Sequence, residues 1–159
     1  MKSFSVSDPK SYINLLFTDE RYDSFYLYEV RFKTEVDVYI SGKRNMAYDE
    51  SVTDEQKEDP AYTYVTWGSI KKKVLLMMRG ERLPLSMKLV LMFSRENINR
   101  LVEMKNLPVR ADEISGLFLN VTLEGEQLVL TSGTSLSVFT MDKTVEQLWD
   151  ETLERYYME

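Results

Sequence analysis

Residues 87–102 read MKLVLMFSRENINRLV, and residues 1–16 read MKSFSVSDPKSYINLL. Both open Met-Lys, alternate apolar residues through a short stretch, place a capping residue and then turn helical. In the first opening, Phe4 and Val6 alternate with Ser3 and Ser5, the pattern of a half-buried strand. Asp8-Pro9 follows as an N-cap with proline at the first helical position. Tyr12, Leu15 and Leu16 then give the i, i+3, i+4 spacing of a helix face. In the second opening, SMKLVLMF is the strand, Ser94 the cap, and Ile98, Leu101, Val102 and Lys105 the helical series.

The correspondence continues outward from these starts. Phe4 and Val6 fall on Val90 and Met92, Asp8 on Ser94, and Leu15-Leu16 on Leu101-Val102. After a longer connector in the second half, Val30 and Phe32 meet Val121 and Leu123, and Glu35 meets Glu126. Val38 then meets Val129, and Ser41-Gly42 meets Ser132-Gly133. A helix with a tryptophan follows each half, carrying Trp67 or Trp149. Such a repeated unit buries its apolar face against its twin, because alone it cannot enclose a core.

Between the halves, FYLYEVRF and KTEVDVYISG read as strands, the second with Val36, Val38 and Ile40 on one face. Residues 48–60 (YDESVTDEQKEDP) are acidic and turn-like, a surface loop. A helix is expected from Trp67 to Met78, with Ile70, Val74, Leu75 and Met78 as its apolar face. SGLFLNVTLEGEQLVLTSGTSLSVFT reads as a meander, turning at Glu124-Gly125 and again at Gly133. Asp142 caps the last helix, where Val145, Leu148, Trp149 and Leu153 share a face.

These readings predict one α+β domain over 1–159: two βαβββ-like repeats forming one mainly antiparallel curved sheet, with helices on one side. Repeat one covers about 1–48 and repeat two about 86–140. An acidic loop and helix occupy 49–80, with extra helices near 61–78 and 143–158. In element order, residues 1–140 resemble a single domain of a DNA sliding clamp. That resemblance implies a docking scaffold whose two repeat helices lie side by side. The C-terminal third, through GLFLN (116–120), SGTSL (132–136), FTMDK (139–143) and WDE (149–151), resembles a family of small uncharacterised bacterial proteins. That second resemblance brings no mechanism with it.

Composition narrows the function. The chain of 159 residues has 43% hydrophobic and 12% aromatic residues, enough for a proper core rather than global disorder. It carries a net charge of −6 and has neither cysteine nor histidine. Disulfides, Cys/His zinc sites, cysteine nucleophiles and Ser-His-Asp triads are thereby excluded. The first residues lack the apolar stretch of a signal peptide, and no apolar run approaches the ~20 residues that span a bilayer. A cytoplasmic location with no membrane contact is the expectation.

The one strongly basic stretch is 71–88, with Lys71, Lys72, Lys73, Arg79, Arg82 and Lys88 opposed by Glu81 alone. Arg95 and Arg100 lie on the second repeat helix, with Asn99 and Lys105, and Lys10, Asn14 and Arg21 match them on the first. Such residues could contact phosphates, but a solvated helix face is the commoner reason for them. TSGTS (131–135) reads as a turn rather than an anion nest. The carboxylates of the loop and the last helix stay solvated, so no catalytic, cofactor or metal residue is expected. The leading expectation is a non-enzymatic interaction module with a protein partner and at most weak nucleic-acid binding, using Lys71, Lys72, Lys73, Arg79, Arg95, Arg100 and Trp149. Alternatives are a small-molecule site or enzyme pocket between the repeats, near Ser135, Trp149 and Asp150, or an acidic regulator of a basic partner. The terminal RYYME is expected to expose its aromatics for recognition.

Overall fold

The structure, a computed structural model, describes residues 1–80 and 82–158. Glu81, the acidic member of the basic stretch, lies outside the described residues. The described chain runs β1 (Ser3–Ser5), α1 (Pro9–Thr18), β2 (Tyr26–Lys33), β3 (Asp37–Ser41), α2 (Asp54–Glu58) and α3 (Trp67–Met78). It continues with β4 (Ser86–Met92), α4 (Arg95–Lys105), β5 (Ile114–Glu124), β6 (Gln127–Leu136) and α5 (Thr144–Met158). The described residues form an α+β fold: one open six-stranded sheet in the order β1-β6-β5-β4-β2-β3, every pair antiparallel, with five helices.

The two expected helix starts form for the expected reasons. Asp8 accepts from the Ser11 amide at 3.2 Å, and Ser94 from the Asn97 amide at 3.1 Å. Each such cap is worth about 1 kcal/mol, because it satisfies an amide that the helix itself cannot. Asn106 closes α4 in the left-handed region, with φ 48.

Alternation along the strands sends Val30, Phe32, Met87, Leu89, Leu91, Leu119, Val121, Leu123, Leu128 and Leu130 to one face, where they share a single apolar cluster. The helices close over that cluster with Tyr12, Ile13, Leu16 and Phe17 of α1, Trp67, Val74 and Met78 of α3, Ile98 of α4, and Val145, Trp149 and Leu153 of α5. Each fully buried large apolar side chain contributes about 2 kcal/mol of transfer free energy before entropy is counted.

The sheet departs from the sequence-based expectation in four places. Six strands form, so each half runs βαββ rather than βαβββ. Gly133 is no turn: β6 runs straight through it, and it pairs with Phe118. The acidic stretch holds α2, stabilised by a capping box in which Thr53 accepts from the Gln56 amide and the Gln56 side chain from the Thr53 amide. The two opening strands also have unlike neighbours. β1 is a three-residue edge strand on β6, whereas β4 runs seven residues between β5 and β2. α1 lies against α3, while α4 lies against the 3-10 turns at Pro60–Tyr62 and Ala111–Glu113.

One close approach shapes the β2–β3 end of the sheet. Residues 63–67 wedge between the start of β2 and the chain beyond β3: Val65 donates to Gly42 O and accepts from Leu27 N, both at 2.9 Å. A Cβ on Gly42 would fall 1.7 Å from the Leu27 carbonyl oxygen, so only glycine lets the two backbones meet there.

Candidate functional site

The same alternation that fills the core sends the intervening residues to the opposite face of the sheet, and the strand register lines them up in rows. One row reads Tyr39, Arg31, Lys88, Thr122, Val129 and Ser5 from β3 to β1. The next reads Ser41, Glu29, Val90, Asn120, Thr131 and Ser3. A third, toward the β2–β3 turn, begins Asp37, Lys33, Ser86, Glu124. None of these residues belongs to the apolar cluster under the helices.

This face carries cations, rings and hydroxyls. The Arg31 guanidinium lies 4.5 Å over the ring of Tyr39, which is 57% exposed, and Glu29 approaches Arg31 at 3.6 Å. Lys33 and Lys88 are exposed beside it. A shallow depression of about 380 Å³ lies among Arg31, Lys33, Tyr39, Lys88, Thr122 and Glu124. Further along, Tyr28 stands at 5.5 Å from the Tyr64 ring and meets Phe118 edge-on at 5.8 Å. Burial raises the Tyr64 phenol above its ordinary range. Exposed rings with fixed cations can stack on and pair with a partner surface. Among the described residues no three carboxylates converge to hold a metal ion, and every buried side-chain nitrogen or oxygen has a partner.

The residues singled out from the sequence do not gather in one place. Lys71 is buried, 6% exposed, and its Nζ donates to Asp23 Oδ1 at 2.5 Å and to Asp19 O at 3.2 Å. Lys72, Lys73 and Arg79 are exposed on or beside α3. Arg95 is half-buried, its guanidinium donating to Ile114 O at 2.7 Å and Ala111 O at 2.8 Å, where it closes the loop before β5. Arg100 is exposed and paired with Glu96 one turn back at 2.6 Å. Trp149 is sealed in the core, its indole N–H donating to Phe118 O at 2.9 Å. Of the pocket residues expected between the halves, Asp150 is occupied by the Ser132 hydroxyl and Ser135 is exposed. The terminal rings also fold inward: Tyr157 stacks on Phe4 at 5.3 Å, and Tyr156 meets Phe25 edge-on at 5.2 Å.

Two signals could have found what the sequence reading missed. Lys71 sits at i+4 in the series Trp67, Lys71, Val74, Met78, which is a helix face; the expected face through Ile70 and Leu75 is rotated from it. Arg31 lies between Val30 and Phe32, so strand alternation alone turns it outward.

Fold and surface together define a class: an α+β protein built on one six-stranded antiparallel sheet, with α1, α3, α4 and α5 contributing to the apolar cluster on one face and polar and aromatic residues exposed on the other. The chain belongs to a family of unknown function (DUF5721), whose model matches residues 15–159, from within α1 to the C-terminal residue of the sequence. No curated protein and no solved structure matches the chain.

Proposed function

We propose that the chain is a non-enzymatic interaction module that docks a protein partner on the outward face of its sheet. One observation carries this reading: the row Tyr39, Arg31 and Lys88 presents an exposed ring and two exposed cations side by side on three adjacent strands, β3, β2 and β4. Arginine and tyrosine concentrate binding energy at interfaces because both offer large contact areas with fixed polar ends. A protein is favoured over nucleic acid because the −6 chain spreads its other cations. Lys71 and Arg95 are engaged internally, and Arg100 is paired.

The expected duplication enters this reading only as element order, since both halves run βαββ and join through unlike strand pairings. The sliding-clamp resemblance lends it a scaffold type, a sheet with helices on one side, and neither a ring nor a duplex. No helix among the described residues is long and apolar enough to cross a membrane.

Affinity capture from the host's own lysate tests the reading, with the wild-type chain set against the variant R31E/K88E. Both side chains are exposed, so the variant should melt as the wild type does. The expected result is a co-captured protein that is lost with R31E/K88E; a capture unaffected by the variant overturns the proposal.

A further inference from the structure

Resting on that reading of a docking module, we infer that the edge of β3 binds an extended acidic peptide, which adds to the sheet as a strand. β3 ends the sheet order, so only its β2 side is paired. An unpaired edge offers a row of backbone N–H and C=O groups that templates another strand. Edges are usually blunted by proline, by charge or by a bulge; DVYIS has no proline and no bulge, and its one charge, Asp37, stands at its first residue.

The second observation is a crevice of about 490 Å³ between the end of this strand and the first turns of α3. Ile40, Val65 and Ile70 give it apolar walls, and Lys43 and Lys73 stand at its rim. Neither lysine makes an ion pair among the described residues. Arg44, also in the lining, is held by the Tyr62 carbonyl at 3.1 Å and lies over the Tyr62 ring. Asp49 is the one opposing charge there, and the Ser51 hydroxyl and amide hold its carboxyl below the ordinary range.

Three cations against one carboxylate select an acidic occupant. The period of two along a strand selects its pattern: apolar side chains turned toward Ile40 and Ile70, with carboxylates reaching Lys43 and Lys73. Main-chain hydrogen bonds to β3 would hold the segment extended, and the crevice would read its alternate side chains.

A fluorescein-labelled octapeptide alternating valine and glutamate, titrated into the full chain at low salt and followed by anisotropy, tests the inference. Saturable binding is expected, weakened at least tenfold by K43E/K73E, and at least tenfold when alternate peptide amides are N-methylated. A valine–lysine counterpart should not saturate. Absent binding, equal binding by the N-methylated peptide, or equal binding by K43E/K73E overturns it. So does a dimer by sedimentation that excludes the peptide, because the edge then belongs to a second copy. The N-methylated peptide needs no protein variant, so the test survives a K43E/K73E chain that does not fold. The R31E/K88E chain should bind the octapeptide as the wild type does. A partner capture that depends on Arg31 and Lys88, found without peptide binding, would overturn this inference and leave the docking module standing.

Discussion

Three consecutive lysines have different fates because a helix turns about 100° per residue. Lys71 points into the stripe of Trp67, Val74 and Met78 and ties α3 to the loop after α1 through Asp23, whereas Lys72 and Lys73 meet solvent. Removing one partner of such a pair leaves the other charge uncompensated, a cost reduced here because Asp23 is about one-third exposed. Lys71→Ala should therefore lose about 2 kcal/mol in urea unfolding, and Lys72→Ala and Lys73→Ala less than about 0.5 kcal/mol each. A second residue-scale effect lies in the core, where the Tyr12 and Tyr22 hydroxyls share a hydrogen bond of 2.5 Å. Burial pushes both phenols above the usual value of 10, Tyr22 much the further. The unfolded chain releases these protons near pH 10 while the folded chain keeps them. Their contribution is thus complete below about pH 10 and is lost as pH rises above it. Unfolding free energies from urea titrations between about pH 9 and 11 should fall more steeply for the wild type than for Y12F/Y22F, by about 1 kcal/mol per pH unit. Equal slopes would mean that the pair is not buried together.

At the scale of elements, the parts legible in the sequence were those fixed by local chemistry. The Asp8 and Ser94 caps, the alternation of β4, and the turn at Gly125, whose φ is 60, all depend on a few neighbouring residues. α2 was equally local, and Thr53 with Gln56 three residues on is its signature, hidden by the weight of acidic residues around it. Gly133 misled because glycine often marks a turn, yet here it pairs within β6 opposite the ring-bearing Phe118. The inward Tyr156 and Tyr157 could not be read from the chain, since their partners Phe4, Tyr12, Tyr22 and Phe25 are more than a hundred residues distant. These rings fasten α5 to α1 and the start of β2, and Arg21 adds a hydrogen bond to the Tyr156 carbonyl at 3.0 Å. Tyr156→Ala and Tyr157→Ala should each cost about 2–3 kcal/mol by urea unfolding, because the half-buried rings leave gaps that the core closes only in part. Losses under about 0.5 kcal/mol would return the terminal aromatics to a surface role.

For the whole molecule, the strand order decided what the sequence could not. Partner choice between strands depends on which edges meet across the chain, and β4 entered between β5 and β2 where an equivalent twin of β1 would have stood at an edge. The same order disperses the expected basic cluster and builds the outward rows of the sheet instead. Because phosphate binding needs several cations to act together, the chain should bind duplex DNA weakly. An anisotropy titration at low salt should show no saturation below about 10 μM; micromolar, salt-sensitive binding lost with R95E/R100E would contradict this. The docking face itself is tested most directly by site-specific photo-crosslinking in host cells. A benzophenone side chain is placed in turn at Tyr39, in the outward row of the sheet, and at Met104, 78% exposed on α4. A discrete adduct with one protein is expected from position 39 and none from position 104. Adducts from position 104 alone, or from neither position, would contradict it.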